Sequence, residues 1–176
     1  MSQVLCCLPA DLRAAIIVVQ HLQDNRETKL PEHLDRLSSL RVCLAEHGMS
    51  IKHGEVYIAV PGKHLSVRDG TIVLETGKKV NYVSPSADIL FSSTAEAYGH
   101  IVIGVILSGT GRDGMQGCKE IKAKGGVTMA QDEKTSKYFG MAGAAIEANA
   151  IDYVLPLTEI GGKIIELTRD EQTVEY

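Results

Sequence analysis

The chain has 176 residues, 44% of them apolar and 23% charged, with a formal net charge of −4. That length provides one domain with a substantial core. The acidic balance and the lack of Lys/Arg clusters exclude a nucleic-acid footprint, and no apolar run reaches the ~18 residues of a membrane span. The N-terminal MSQVLCCLPADLR has no basic segment ahead of its short apolar piece, so it is not read as a signal peptide. Cys6, Cys7, Cys43 and Cys118 form no C-x-x-C and are expected as reduced thiols of a cytoplasmic protein.

Met1 to Leu8 has the pattern of the later part of a helix, ended by Pro9. Ala14 to Gln20 (AAIIVVQ) is a buried-strand run that closes on His21, and the polar stretch from Leu22 to Lys29 is a loop. Pro31 to Leu40 is predicted helical, with Leu34, Leu37 and Leu40 on one face. Arg41 to Ala45 and Glu55 to Val60 are short strands. Leu65 to Val67 and Thr71 to Leu74 flank Asp69-Gly70, a hairpin signal. Thr76 to Val83 is a Lys-rich surface loop. Ser84 to Tyr98 is a helix with Ile89, Leu90 and Ala97 inward, stopped by Gly99.

Ile101 to Leu107 is apolar without alternation, the pattern of a strand buried on both faces. Ser108 to Gly114 breaks it with a glycine-rich loop. Met115 to Lys124 follows as a helix with Met115, Cys118, Ile121 and Lys122 at helical spacing. Gly126 to Gln131 and Asp152 to Leu155 are strands. Gly140 to Ala150 and Thr158 to Leu167 are helices, and residues 169–176 form a charged tail beyond a domain at 1–168. Alternating strands and helices give an α/β fold: a doubly wound, mostly parallel sheet with helices on both faces and one inserted antiparallel hairpin. Ligands of such sheets sit beyond the carboxyl ends of strands, where the Gly109–Gly114 loop falls.

Two chemistries fit that loop. Gly109, Gly111 and Gly114 spell G-x-G-x-x-G between a strand and a helix, with Asp132 23 residues after Gly109, as in a dinucleotide-binding fingerprint. Against it, the motif arrives after residue 100, and Asp113 places an acid where a pyrophosphate would approach. The alternative pairs His21 with Asp113, both at carboxyl ends of predicted strands, as the base and orienting carboxylate of a nucleophilic triad. The plain structural reading is that Asp113 serves a helix start and His21 caps a carbonyl. His33, His47, His53, His64 and His100 show no metal-ligand spacing, and neither a metal nor a cofactor is expected. His64 is read as a surface residue. Arg112 is a solvated charge or a contact to an acidic partner.

ADLRAAIIVVQHL, EVYIAVPGKHL, PSADILFSSTAEAYG, VILSGTGRDGMQG and AKGGVTMAQDEKTSKYFGM, in that order, resemble the chemotaxis protein-glutamate methylesterase family over roughly Ser2 to Leu155. The wording is nearest to methylesterase domains fused to a receptor methyltransferase. The resemblance implies a serine hydrolase that removes methyl esters from chemoreceptor glutamates, releasing methanol, and deamidates receptor glutamines. It places the family His on His21 and the family Asp on Asp113, with Thr110, Gly109 and Gly111 lining the site. It implies methylated receptor helices as partners and a regulatory receiver or a methyltransferase as a companion domain.

The family's first strand and its G-x-S-x-G-G nucleophile turn would lie before Met1, so no nucleophile is assigned here. Ser2 falls within the following helix, and Ser108 lacks a nucleophile elbow. The chain alone is therefore expected to be inactive. A central strand is expected to be missing from the sheet, which implies a shortened chain, a replacement strand from a second chain in a homo-oligomer, or a rearranged sheet. A non-catalytic domain that binds receptor or signalling partners through the same crevice is the alternative function, with the dinucleotide module as another.

Overall fold

The computed structural model describes residues 1–21 and 29–170, so most of the loop expected at Leu22–Lys29 and most of the expected tail lie outside the described residues. In chain order the elements are α1 (Ser2–Leu5), β1 (Ile16–Val18), α2 (Leu30–Asp35), β2 (Arg41–Leu44), β3 (Glu55–Ile58), β4 (His64–Arg68), β5 (Thr71–Glu75), α3 (Ala87–Tyr98), β6 (Ile103–Ile106), α4 (Met115–Ala123), β7 (Val127–Gln131), α5 (Gly140–Glu147), β8 (Tyr153–Leu155) and α6 (Leu157–Asp170).

The parallel strands divide into two sets, ordered β1-β3-β2 and β6-β7-β8, and β4-β5 forms a separate antiparallel hairpin. Period-two alternation builds the first set. Val56 and Ile58 of β3 face a core of Leu5, Leu8, Leu34 and Val42. Tyr57 and Ala59 face the opposite core of Leu65, Val67, Ile72 and Leu90. The buried Tyr57 hydroxyl donates to Glu55 Oε2 and accepts from Lys52 N, and burial with the Glu55 contact pushes its pKa up to about 12. In the second set β7 is central, with Thr128, Met129 and Ala130 buried between the helices. The hairpin turns on Asp69 and Gly70, both at positive φ, as Asp-Gly corners require.

No hydrogen-bonded ladder joins the two parallel sets among the described residues. Their inner strands, β1 and β6, each pair on one side only, with β3 and β7 respectively. This corrects the reading of Ile101–Leu107 as buried on both faces: Ile103 and Val105 are only half-buried, as are all three residues of β1. Strands with one open edge retain solvent access that a ladder partner would remove. The sets are tied elsewhere. Helix α1 packs on α6, where Gly161 allows close approach to Cys7 and Val4, and α3 packs on both the hairpin and α4.

Two local expectations are corrected. Helix α2 stops at Asp35, whose carboxylate accepts the Val42 amide at 2.8 Å, so Leu37 falls outside the helix and is 46% exposed, while Leu34 and Leu40 are buried. His64 is buried rather than on the surface, and its Nε2–H donates to the Lys78 carbonyl at 3.0 Å. In α3 the fully packed positions are Ala87, Leu90 and Ala95; Ile89 is only half-buried and Ala97, expected inward, is exposed.

The α3–α4 contact is the tightest helix packing near the site. A Cβ on Gly117 would press on Phe91 and lie 3.2 Å from the Asp88 carbonyl oxygen. Gly117→Ala is expected to destabilise the fold by about 1–3 kcal/mol through overpacking. Gly162→Ala, on the open side of α6 with nothing within 4 Å, should be neutral or stabilising by up to about 1 kcal/mol. Urea unfolding of the two variants measures both.

Candidate active site

Where the two parallel sets meet, the carboxyl ends of β1 and β6 bring His21 and Asp113 together. His21 follows β1, Asp113 lies in the loop after β6, and His21 Nε2 is 2.8 Å from Asp113 Oδ2. The carboxylate is 3% exposed and the imidazole 26%, so one partner is interior and the other faces the opening.

Asp113 does more than hold the ring. Its carboxylate accepts from Ser86 Oγ at 2.7 Å, Ala87 N at 2.6 Å and Asp88 N at 3.2 Å. Those groups begin α3, and Ser86, the N-cap residue, makes no side-chain cap of its own. A carboxylate from a distant loop thus satisfies the orphan amides of a helix start. The plain structural reading of Asp113 was right in kind but assigned the wrong helix, because it caps α3 and not α4. Asp88, in the first turn of α3, returns the exchange by accepting Gly117 N of α4 at 2.8 Å. Asn81 Nδ2 bridges the two acids, donating to Asp88 Oδ2 at 2.7 Å and to Asp113 Oδ1 at 3.3 Å.

Electrostatics separate the two carboxylates. Burial works to raise the Asp113 pKa, but hydrogen bonds from His21, Ser86, Ala87 and Asp88 outweigh it and hold the group at about 2. Asp88 moves the other way, raised by burial and by the charge of Asp113 against the amide of Gly117. With Asp113 ionised, its oxygen accepts and His21 Nε2–H donates. The neutral ring then carries its lone pair on Nδ1, and no hydroxyl is hydrogen-bonded to that nitrogen among the described residues.

The glycine loop is held from both sides. Ser108 N donates to Gln131 Oε1, and Ser108 Oγ accepts from Tyr138 N at 2.9 Å. Gly109 N donates to the Tyr138 carbonyl, and Met141 N to the Gly109 carbonyl. Gly109 has no room for a side chain because Met141 lies against it, Gly111 takes φ +85°, and Gly114 packs on Ile106 and Ala87. Gly109 and Gly114 serve packing within the chain, Gly111 serves the loop's backbone conformation with open space beside it, and Asp132 accepts from Thr135. Thr110 is exposed on the loop, three positions before Asp113. Among the described residues no three His, Cys, Asp or Glu converge as metal ligands, and no helix is long and apolar enough to cross a membrane.

Ser86, Asp88, Asn81 and Gln131 were missed in the sequence. Their partners lie 23 to 32 positions away in the chain, and only the short-range signal of Ser-Pro-Ser-Ala-Asp before a helix was visible.

A family model described as CheB methylesterase matches residues 1–164. The chain is 45% identical over 169 residues to a protein-glutamate methylesterase/protein-glutamine glutaminase of Anaeromyxobacter dehalogenans, covering 96% of this chain and 50% of that protein. It is 37% identical to a putative protein of the same name from Leptospira interrogans, covering 97% of this chain and 89% of the relative. The crystal structure of the Thermotoga maritima CheB methylesterase catalytic domain superimposes with a TM-score of 0.91 at 38% identity, over 94% of this chain and 90% of that one. The chain spans about half the length of several curated relatives it matches.

The lowered pKa of Asp113 carries a pH signature. Its folded value of about 2 lies below the ordinary 3.8, so the stabilisation is fully present above pH 4 and is lost as pH falls through 2. Asp113→Asn removes this titration. Acid unfolding followed by circular dichroism should show the unsubstituted chain losing about 2 kcal/mol more than the variant between pH 5 and pH 2.

Proposed function

The chain belongs to the CheB methylesterase family, and from that premise we propose that it is the His–Asp half of a protein-glutamate methylesterase site. The substrate is a glutamate methyl ester on the cytoplasmic helices of a chemoreceptor, with receptor glutamine as a second substrate for deamidation. The single observation that supports this most directly is the His21–Asp113 pair at 2.8 Å, at the meeting of β1 and β6, with no partner on the second ring nitrogen among the described residues. An imidazole that faces the opening beside a buried carboxylate is the arrangement a general base and its orienting acid require.

In this reading His21 Nδ1 is the general base. It takes the proton of a serine hydroxyl as the oxygen attacks the ester carbonyl. The imidazolium, steadied by Asp113, returns that proton to the departing methoxide, which leaves as methanol. Water then hydrolyses the acyl intermediate by the same path. Backbone amides stabilise the oxyanion, and the glycine loop carrying Thr110, Gly109 and Gly111 lines the wall. No metal or cofactor is required by these steps. The site operates in the cytoplasm, alongside a receiver or methyltransferase domain.

The serine is proposed to arrive at the carboxyl end of a strand seated between β1 and β6. Two features support this: among the described residues both strands have one unpaired edge, and His21, after β1, meets Asp113, in the loop after β6, at 2.8 Å. A second copy of the chain would use the same edges in a homo-oligomer.

The 176-residue chain by itself is expected to release no methanol above background from a methylated receptor fragment. Adding a peptide with an apolar strand and a G-x-S-x-G-G turn should restore release, and Ser→Ala in the peptide or His21→Ala in the chain should abolish it, each by about 10⁴-fold or more. Release by the chain alone would overturn the assignment of the nucleophile. Continued release after His21→Ala would overturn the role of the imidazole.

A further inference from the structure

Beside the His–Asp pair, residues 80–83 form a tight turn. Val80 and Val83 exchange both backbone hydrogen bonds, at 3.1 and 3.0 Å, and the corner residues Asn81 and Tyr82 have φ of +51° and +66°. Positive φ at both corners marks the I′ kind of turn, whose second corner favours glycine. Asn81 fits the first corner, since asparagine tolerates the left-handed region. Tyr82 does not fit the second. Among the described residues, every other non-glycine at positive φ is Asn or Asp.

The tyrosine gains nothing from the fold in return. Its side chain is 94% exposed, the most open of the large apolar residues described. An unfavourable backbone conformation that presents an unpacked aromatic ring points to function rather than to stability. The turn is also held rigidly. His64 Nε2–H fixes the Lys78 carbonyl at its base, and Asn81 ties its corner to the carboxylates of Asp88 and Asp113.

Among the described residues, basic side chains border the turn and the neighbouring glycine loop. Lys78 and Lys79 lead into the turn, Arg112 precedes Asp113, and Lys137 lies over the exposed Tyr138 ring beside the glycine loop, all in a chain of net charge −4. The carboxylates nearest the turn, Asp88 and Asp113, point inward to amide donors. A basic rim with a projecting aromatic ring complements an acidic polypeptide carrying apolar side chains.

We propose that the 80–83 turn is the substrate-docking element of this site, with Tyr82 as its aromatic anchor and Lys78 and Arg112 contacting carboxylates that flank the esterified glutamate. This rests on the methylesterase reading and deepens it, because it assigns protein-substrate recognition to residues outside the triad. Asn81 acts as a positioning residue that links the docking turn to the carboxylate orienting His21.

The test uses the chain and a fluorescent helical peptide bearing one glutamate methyl ester flanked by glutamates. Binding is read by anisotropy and stability by thermal melting. Tyr82→Gly places glycine where the turn favours it, so the melting temperature should rise by about 2–4 °C while affinity falls about tenfold or more. Lys78→Gln should weaken binding and flatten its salt dependence, and the unsubstituted chain should bind poorly to a control peptide whose flanking glutamates are glutamines. A gain in stability with unchanged affinity would overturn the anchor, as would a loss of stability alongside lost affinity, because Tyr82 would then be a fold support. No binding by the unsubstituted chain, or equal binding to the control peptide, would overturn the acidic partner. None of these results bears on methanol release with the added serine peptide, so the hydrolytic reading stands or falls separately.

Discussion

Ser86, Ala87, Asp88 and His21 all direct a donor at one carboxylate. That convergence on Asp113 is what the rest of the site is built around. A buried acid would ordinarily drift towards its neutral form, since desolvation penalises the charge. Here the start of α3 provides enough donors to keep it ionised, and the helix start receives the partner it lacks. The same bonds fix where the imidazole can point. The electrostatics of the crevice and the anchoring of a helix are therefore a single arrangement of atoms.

The reciprocal contact extends this outward. Asp88 leaves α3 to satisfy α4, while the loop preceding α4 delivers Asp113 to α3. Two helix N-termini exchange carboxylates, and Gly117 lets them approach closely enough to do so. This junction fixes the carboxyl end of β6 relative to the hairpin and to β1, although among the described residues no strand ladder spans the two parallel sets. The crevice lies over that division. It depends on helix contacts for its shape, which leaves the strand edges of β1 and β6 open beneath it.

Much of this was legible from local pattern. The strand run ending in His21, the Asp-Gly hairpin, the glycine loop and the alternation of strands and helices all rest on short-range signals: period, turn chemistry and breakers. The juxtaposition of His21 with Asp113 was also readable, because both close predicted strands of one sheet. What escaped were contacts set by tertiary register. Asp113 looked like a residue of its own helix start, since nothing within a few positions points to an amide 26 residues earlier. His64 looked like a surface residue because its partner, the Lys78 carbonyl, is a backbone atom. Leu37 kept the helical spacing but lost the helix when Asp35 turned to the Val42 amide. The half-burial of β1 and β6 was hidden for the same reason, as composition reports what a strand could bury and not which edges find a partner.

The exchange of carboxylates between α3 and α4 makes the two members of the dyad unequal as subjects of genetic dissection. Deleting the imidazole of His21 takes away one hydrogen bond at the rim and interrogates chemistry almost in isolation. Deleting the carboxylate of Asp113 uncaps a helix twelve residues long in the same stroke, so its phenotype combines folding with function. A survey of natural variants should accordingly tolerate a changed imidazole in lineages that have abandoned hydrolysis, while the acid persists wherever the scaffold itself is retained.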